Sequence, residues 1–406
     1  MCKTDKAWSY TFEKMLHSKT NLIYDYRVDT DDGDPLTWHL PSLEYIQKSI
    51  PNPCGWGTGM EDCMITGSIA LDCILARYAA TGDKALREYA EKVFSGMRHC
   101  ATVSDKRGFL ARSVSPIDGV THYMDSSRDQ YTHFVFSSTA YYNSDLSTDK
   151  EKEQIREILV AFADRAIENI TEKNDWNYLR EDGGRGAVVR MWGPKVGKHE
   201  AFRLPMIYIA AWSVSGEQKY FDEYKKYRDE ALEISKSIDF DKKPPMPSAT
   251  GQMVYSLRLA YDLDPDEDFK ARCDEYLKYL ADYFREKSFA WVKEVCSPEN
   301  KEKLNYSPVP WTEAPAFLEK YLDEYAYFVP TQLFTWKDGY PIARKYPVYA
   351  SCCSLIYLLC PTAVYDAELM EHIKMIIDAI DYCKHQTSAP IFPLCAYWMM
   401  QNKPKI

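Results

Sequence analysis

Apolar and polar residues follow one another along most of this chain in a pattern that predicts two kinds of helix. The stretch 63–80 is apolar on nearly every face, and the stretch 84–98 carries its apolar residues on one stripe at helical spacing. A helix that is apolar all round must be surrounded by protein, whereas a one-sided helix covers a core with a single face. The pair therefore predicts a buried helix followed by an outer, half-exposed one.

The same couplet recurs along the chain, and strand-like alternation is almost absent. A sixth couplet is placed within 311–346, a charged stretch interrupted by three prolines. The clear further couplets are 129–142 with 151–168, 201–215 with 217–236, 250–261 with 268–286, and 349–360 with 366–384.

Repeated couplets predict two concentric layers of helices. If consecutive helices are antiparallel, the N-termini of all inner helices gather on one face. The segments that lead into inner helices combine Trp, Pro, Gly and charge, whereas the opposite connections, such as 81–83 and 215–217, are short polar turns. We therefore expect an all-α toroid of about six hairpins over residues 59–406, with residues 1–58 as an N-terminal extension packed on it. Function is expected in the loops of the elaborate face.

The composition of the chain limits the kinds of molecule that we expect it to bind. A formal net charge of −10 argues against nucleic acid or an anionic membrane as the main partner. The 31 Tyr and 10 Trp suit a wet cleft that binds sugars, although most large aromatic side chains are core. The 12 Cys are scattered without zinc-ligand spacing, and many fall on apolar helix faces. We expect reduced thiols in a cytoplasmic protein with no metal, no cofactor and no membrane span.

Two short motifs carry a resemblance to a known family. The stretch Gly57–Asp62 has the pattern G-x-G-M-E-D, and Ser127–Tyr131 reads S-R-D-Q-Y. With the repeated hairpins, these motifs resemble the six-hairpin glycosidase superfamily, which includes unsaturated glucuronyl and rhamnogalacturonyl hydrolases and shares its architecture with N-acylglucosamine 2-epimerases. The resemblance implies an (α/α)6 toroid, a sugar site at the N-termini of the inner helices, and acid/base catalysis by carboxyl groups without a metal.

The same resemblance implies roles for two aspartates. Asp129 matches the residue that protonates the substrate, and Asp62 resembles the second carboxylate of the family. Their positions suit the chemistry, because glycosidic cleavage needs one acid for the leaving oxygen and one carboxylate to activate water or attack the sugar. The alternative is structural: a first-turn Asp often caps its helix and pairs with an arginine. Asp125, Ser126 and Ser127 are the candidate N-caps before Asp129.

Histidines offer a second type of chemistry. His133 lies one helical turn after Asp129 and is a candidate to orient a sugar hydroxyl or to act as a base. His199 and Glu200 open the third inner helix, and such a pair could abstract a proton in an epimerase or lyase. Arg190 and Arg203 could hold a substrate carboxylate between two N–H groups. A structural salt-bridge cluster is the competing interpretation.

The remaining candidates lie in the loops of the elaborate face or beside the two aspartates. Three tryptophans are candidate sugar-stacking platforms, one glutamate is a weaker candidate acid, and three neighbours of the catalytic pair are candidate substrate ligands. These are Trp56, Trp192 and Trp311; Glu313; and Glu61, Arg128 and Gln130.

We therefore expect a hydrolase that cleaves a glycosidic bond of an oligosaccharide, possible substrates including unsaturated uronic-acid oligosaccharides. Hydrolysis predicts the Asp62 and Asp129 carboxylates within roughly 5–10 Å in one open pocket. An epimerase or polysaccharide lyase, with His199 or His133 as base, predicts a His beside an Arg-bound substrate acid. A non-catalytic glycan-binding protein predicts an aromatic groove whose acids are all salt-bridged.

Overall fold

The protein is described by a computed structural model that covers residues 2–27, 41–50, 52–56, 58–186, 188–305 and 341–405. Within these ranges the chain forms helices, and its only β-pairings are isolated bridges. The α-helices are α1 (Lys3–Ser9), α2 (Leu43–Gln47), α3 (Cys63–Thr81), α4 (Leu86–Thr102), α5 (Arg128–Tyr142), α6 (Asp149–Asn169), α7 (Arg203–Ser215), α8 (Gln218–Lys236), α9 (Pro247–Leu263), α10 (Glu267–Val295), α11 (Pro298–Lys301), α12 (Tyr346–Leu359), α13 (Ala367–Ala379) and α14 (Ile391–Gln401).

Six of these helices form a closed inner ring. In order around the ring they are α3, α5, α7, α9, α12 and α14, and α14 packs back against α3. Each inner helix is buried on most of its faces; in α7, for example, all residues from Arg203 to Ala211 are buried. The ring confirms the predicted (α/α)6 architecture.

The outer layer consists of the amphipathic helices. α4, α6, α8, α10 and α13 each pack against the inner helices beside them. Local signals set their limits: the Thr148 side chain and Glu151 form a capping box at the start of α6. Gly82 and Gly216 end α3 and α7 with positive φ, a conformation that glycine adopts without steric cost. Five couplets therefore lie where the hydrophobic pattern places them.

The sixth hairpin differs from the prediction. Its inner helix is α14, and α1 at the other end of the chain packs against α13 and α14, continuing through a π-helical segment, Tyr10–Met15. Residues 3–15 of the predicted N-terminal extension are thus helical. The stretch 311–346, predicted to hold the sixth couplet, lies outside the described residues up to residue 340, and Tyr346 opens α12. The division of the chain at residue 58 stays a prediction.

Among the residues that the structure describes, one helix has the length and composition of a membrane span. This helix is α3, and 67% of its most apolar window is buried inside the protein. Burial of this kind is typical of the core helix of a folded domain.

Candidate active site

A cavity of about 290 Å³ opens at the N-terminal ends of the inner helices. Every inner helix contributes to its wall from its first turns or the segment just before them, so these six ends meet on one face, as the couplet pattern predicts. The polar and aromatic side chains of the wall are Trp56, Glu61, Asp62, Arg112, Ser127, Arg128, Asp129, His133, His199, Glu200, Arg203, Ser248, Gln252, Tyr255, Arg344, Lys345, Tyr349 and Phe392.

Asp129 reaches this cavity from the first turn of α5. Ser127 caps the helix by accepting the Gln130 N–H, so of the three candidate caps Ser127 is the one used. The carboxylate of Asp129 pairs with Arg203, the first residue of α7, yet 42% of its side chain remains accessible because it opens into the cavity. Burial alone would raise the pKa of Asp129, but the guanidinium groups of Arg203 and Arg128 outweigh it and hold this pKa well below its usual range. Asp129 is therefore ionised at neutral pH.

Arg203 itself is fixed from two sides. Its side chain is 2% exposed, and besides Asp129 it donates to the Gln252 side-chain oxygen of α9 at 2.6 Å. Arg203 thereby links three consecutive inner helices, α5, α7 and α9. A buried charge in such a network is costly to leave unpaired.

Arg128 and Glu200 form a second ion pair beside the first. The Arg128 guanidinium donates to the Glu200 carboxylate and, at 3.2 Å, to the main-chain oxygen of Arg190. His199 lies next to this pair, with its Nε2 atom 3.7 Å from Glu200. Burial and the nearby Arg203 lower the pKa of His199, so its imidazole is neutral at neutral pH.

Three carboxyl groups cluster on the opposite side, at the start of α3. The carboxyl oxygens of Asp25, Glu61 and Asp62 lie within 4.8 Å of one another. Arg344 pairs with Asp25 and, at 2.9 Å, with Asp62, whose side chain is 20% exposed. Burial raises the pKa of Asp25 well above its usual range, against the pull of Arg344, and Asp62 and Glu61 raise it further. The surroundings of Asp25 therefore favour its protonated form.

Asp62 is held in place by Gln130. The Gln130 side-chain amide donates to Asp62 Oδ1 at 3.2 Å and to the Glu61 main-chain oxygen at 3.0 Å, and it accepts the Met64 N–H at 3.2 Å. Gln130 is fully buried and does not line the cavity. We assign it a supporting position behind Asp62 rather than the substrate contact predicted from the sequence.

The acidic cluster is also the one group of carboxylates suited to a metal ion within the described part of the chain. Arg344 already lies against two of its members, and a cation would have to displace that guanidinium. We therefore assign no metal to it.

His133 and Tyr255 lie deeper in the cavity. Burial lowers the pKa of His133 to about 4, so its imidazole is neutral, and its Nδ1 atom is buried without a hydrogen-bond partner. Its ring lies 5.0 Å from the Tyr255 ring, and the Tyr255 hydroxyl likewise has no partner. Buried polar atoms without a partner are uncommon in folded proteins.

Trp56 lines the cavity with Arg112 over its ring at 5.4 Å. Arg112 is 2% exposed, and its guanidinium donates to two main-chain oxygens, those of Glu61 at 2.9 Å and Ser126 at 3.2 Å. Among the described residues, no carboxylate lies within ion-pairing distance of it.

Two predicted site residues lie elsewhere. Arg190 pairs with Asp175, and Trp192 is 7% exposed and packs against Tyr227 at 4.9 Å; neither lines the cavity. The loop that carries them folds back on itself, as Arg190 bridges to Asn177. Trp311 and Glu313 lie outside the described residues.

The structure adds residues that the sequence patterns did not select: Asp25, Arg112, Gln252, Tyr255 and Arg344. None of them belongs to a recognisable motif. Gln252 and Tyr255 lie on a helix that the hydrophobic pattern predicts to be an inner one. This position was the one feature of the sequence that could have pointed to them as site residues.

No protein-family model and no curated protein sequence matches this chain. Two solved structures are similar to it at a distance. One is an inactive variant of a family 76 alpha-1,6-mannanase of Salegentibacter sp. HEL1_6 in complex with alpha-1,6-mannotriose, at 11% identity and a TM-score of 0.37. The other is a glycoside hydrolase family 76 mannosidase from Bacteroides thetaiotaomicron, at 13% identity and a TM-score of 0.32. Each likeness covers 69% of this chain and 86% of the other. Likenesses this distant define neither the fold nor the activity of this chain.

Proposed function

We propose that this protein is a carbohydrate-active hydrolase that cleaves a glycosidic bond in the cavity at the N-terminal ends of its inner helices. One observation carries the proposal: Asp129 and Asp62, from consecutive inner helices, line one cavity in different surroundings, Asp129 beside Arg203 and Arg128, and Asp62 beside the carboxyl groups of Asp25 and Glu61. Glycosidases use paired carboxyl groups whose environments differ in this way.

Asp129 is proposed as the catalytic carboxylate that activates water or attacks the sugar. Its two arginine neighbours keep it ionised, which suits a base or nucleophile and disfavours a proton donor. The resemblance to the six-hairpin glycosidases implies the role of proton donor for this position. We assign the opposite role because of Arg203.

Asp62 is proposed as the general acid. Asp62 lies beside Asp25, whose pKa is raised well above its usual range by burial, and of the two aspartates that share Arg344 it is the one that lines the cavity, with 20% of its side chain exposed. Protonation of the glycosidic oxygen by Asp62 would pass the charge to a cluster that Arg344 stabilises.

An acidic oligosaccharide, such as one that contains uronic acid, is the proposed substrate class. Arg112 supports this, because its buried guanidinium has main-chain oxygens as its hydrogen-bond partners and lies against Trp56. A substrate carboxylate near it would gain a charge-assisted contact.

A second candidate is a sugar epimerase or lyase with His133 as base. It is favoured by the neutral imidazole and orphan Nδ1 of His133 in the same cavity. A binding-only protein is disfavoured by the wall of the cavity, which carries charged groups rather than a continuous aromatic groove.

The test is a screen of uronic-acid oligosaccharides, neutral α-mannooligosaccharides and aryl glycosides against wild type and four variants. Asp129→Asn and Asp62→Asn are expected to lower kcat/KM by about 100-fold or more on the cleaved substrate. Asp268→Asn, which alters an exposed first-turn acid of the outer helix α10, is the matched control and should retain wild-type activity. Turnover lost in His133→Gln and retained in both Asp variants would favour the second candidate and contradict the first.

A further inference from the structure

A second cavity of about 290 Å³ lies at the opposite end of the ring. Its wall comes from the C-terminal halves of the inner helices α3, α5, α9 and α12 and from the end of α14, whereas the first cavity is built from the N-terminal ends. Tyr255 lines both cavities and separates them along the ring axis. The proposed hydrolase activity has no use for this second cavity.

Within the part of the chain that the structure describes, a buried carboxyl group without a cation partner lies in its wall, and the nearby Ser137 hydroxyl is the one group that favours its charged form. Asp72, in the middle of α3, is 8% exposed, and its Oδ2 atom is buried without a hydrogen-bond partner. Among the described residues, no cation lies within ion-pairing distance of Asp72. The Tyr255 hydroxyl, also without a partner, lies near enough for Asp72 to add to the effect of burial, which raises the pKa of Tyr255. Buried polar groups in a folded protein normally have partners, so two orphans in one cavity indicate a missing ligand.

The rest of the wall suits a cation with an apolar body. Leucine, alanine, methionine and aromatic residues are eight of its thirteen lining residues, and the Phe136 and Tyr255 rings pack edge to face at 4.6 Å. Aromatic rings attract organic cations through their faces. The inner helices also end here, and their unpaired carbonyl groups carry partial negative charge.

Two basic residues occupy the rim. Arg258 is neutralised by Asp262 at 2.8 Å and donates to the Leu359 main-chain oxygen. Lys403 lies beside it, and burial lowers the pKa of Lys403 to about 8, which weakens its positive charge. In the described chain, the carboxyl group without a cation partner is therefore buried, whereas the basic Arg258 is partly exposed.

We infer that this second cavity binds a small organic ammonium ion with an apolar body, whose charged group pairs with Asp72 and whose body packs between Phe136 and Leu358. The ammonium would supply the donors that the Asp72 and Tyr255 oxygens lack. Binding needs no reaction and no further group.

Three probes with the same phenyl group test this inference by isothermal titration calorimetry on the full chain: 2-phenylethylammonium, the neutral 2-phenylethanol and the anionic 3-phenylpropionate. We expect the ammonium to bind about tenfold or more tightly than the alcohol, because a hydrogen bond to a charged group contributes more than a neutral one. Asp72→Asn, which keeps the side-chain shape, should remove that preference and leave the alcohol affinity within about twofold.

Two further variants keep the test decisive. Ala140→Phe fills the cavity from α5 without touching its charges and should weaken all the probes that bind. Asp129→Asn changes the charge of the first cavity and should leave ammonium binding unchanged. The inference is overturned by undetectable ammonium binding, by tighter binding of the alcohol or the propionate, or by loss of ammonium binding in Asp129→Asn with retention in Asp72→Asn.

Discussion

Asp129 depends for its chemistry on Arg203, a residue 74 positions away in the sequence. Without that guanidinium, burial would favour the neutral acid and the carboxylate would lose its proposed role. The role of Asp129 therefore follows from its surroundings rather than from its residue type.

Replacing Arg203 should move the acidic limb of the pH profile. A base is active only when ionised, so activity is lost as pH falls through its pKa. Arg203→Met raises the pKa of Asp129 and should shift the acidic limb of kcat/KM upward by about 1–3 pH units. Arg203→Lys keeps the charge and should shift it less. An unchanged acidic limb in Arg203→Met would separate Asp129 from catalysis.

Asp72 should make the protein less stable as pH rises. Burial raises the pKa of Asp72 from 3.8 to about 7, so between these values the folded state binds more protons than the unfolded state. The free energy of unfolding then falls as pH rises through this window and levels off above it. Asp72→Asn should remove about 3 kcal/mol of the difference between pH 5 and pH 8. Urea unfolding at both pH values measures this, and equal pH dependence in wild type and variant would contradict it.

At the residue scale, first-turn positions were the predictable part of the site. Asp62, Asp129 and Glu200 reach the cavity because each lies at or beside the start of an inner helix, a position visible in the hydrophobic pattern. The partners were not predictable: Asp25 pairs with Arg344 across 319 residues, and no local pattern encodes such a contact. Trp192 was predicted to bind sugar but packs against Tyr227. An aromatic residue in a loop packs into the core as readily as it faces a ligand.

At the scale of the element, α4 illustrates how an outer helix is fixed to the N-terminal segment. A Cβ atom at Gly96 would lie 2.2 Å from the main-chain oxygen of Asn21, whereas one at Gly67 of α3 would meet the flexible Met97 side chain at 3.2 Å. The contact at Gly96 involves main-chain atoms of Asn21, which cannot move aside unless the whole 20–21 segment shifts.

Gly96→Ala should therefore destabilise the protein by about 2–3 kcal/mol through overpacking. Gly67→Ala is the matched control in a helix interior, and it should cost less than about 1 kcal/mol because alanine favours the helix and Met97 can adjust. Chemical denaturation measures both. A Gly96→Ala protein as stable as wild type would show that the 20–21 segment does not pack on α4 as described.

Helix type and order were predictable from the sequence, and the sixth hairpin was not. The hydrophobic period distinguishes inner from outer helices, and α10 departs from the prediction chiefly by running on to Val295. α14 was missed because it has 11 residues and an internal Pro393, so it presents too short a periodic pattern. Its partner α1 lies at the other end of the chain, and couplets read along the sequence cannot include such a pair.

At the scale of the whole molecule, the two chain ends complete the toroid together. The Tyr10 hydroxyl, just after α1, donates to the main-chain oxygens of His385 at 3.1 Å and Thr387 at 2.9 Å, in the segment that leads into α14. Tyr10 is 2% exposed, so these oxygens have little access to water.

Tyr10→Phe should lower the free energy of unfolding by about 1–3 kcal/mol, because it leaves buried carbonyl groups without a donor. Tyr279→Phe removes a hydroxyl from a side chain that is 48% exposed and should change stability by less than about 0.5 kcal/mol. Thermal and urea unfolding give both values. If the two variants are equally stable, the contact between the chain ends contributes nothing.

The dependence of the rate on the leaving group tests the central claim, an ionised Asp129 and a proton-donating Asp62 in one cavity, most directly. Once a cleaved sugar is known, its aryl glycosides with activated leaving groups need no acid but still need a base or nucleophile. We predict that Asp62→Asn keeps most of its activity on a dinitrophenyl glycoside and loses about 100-fold or more on the oligosaccharide, whereas Asp129→Asn loses both. The reverse pattern, with activated substrates still cleaved by Asp129→Asn and lost by Asp62→Asn, would contradict the assignment.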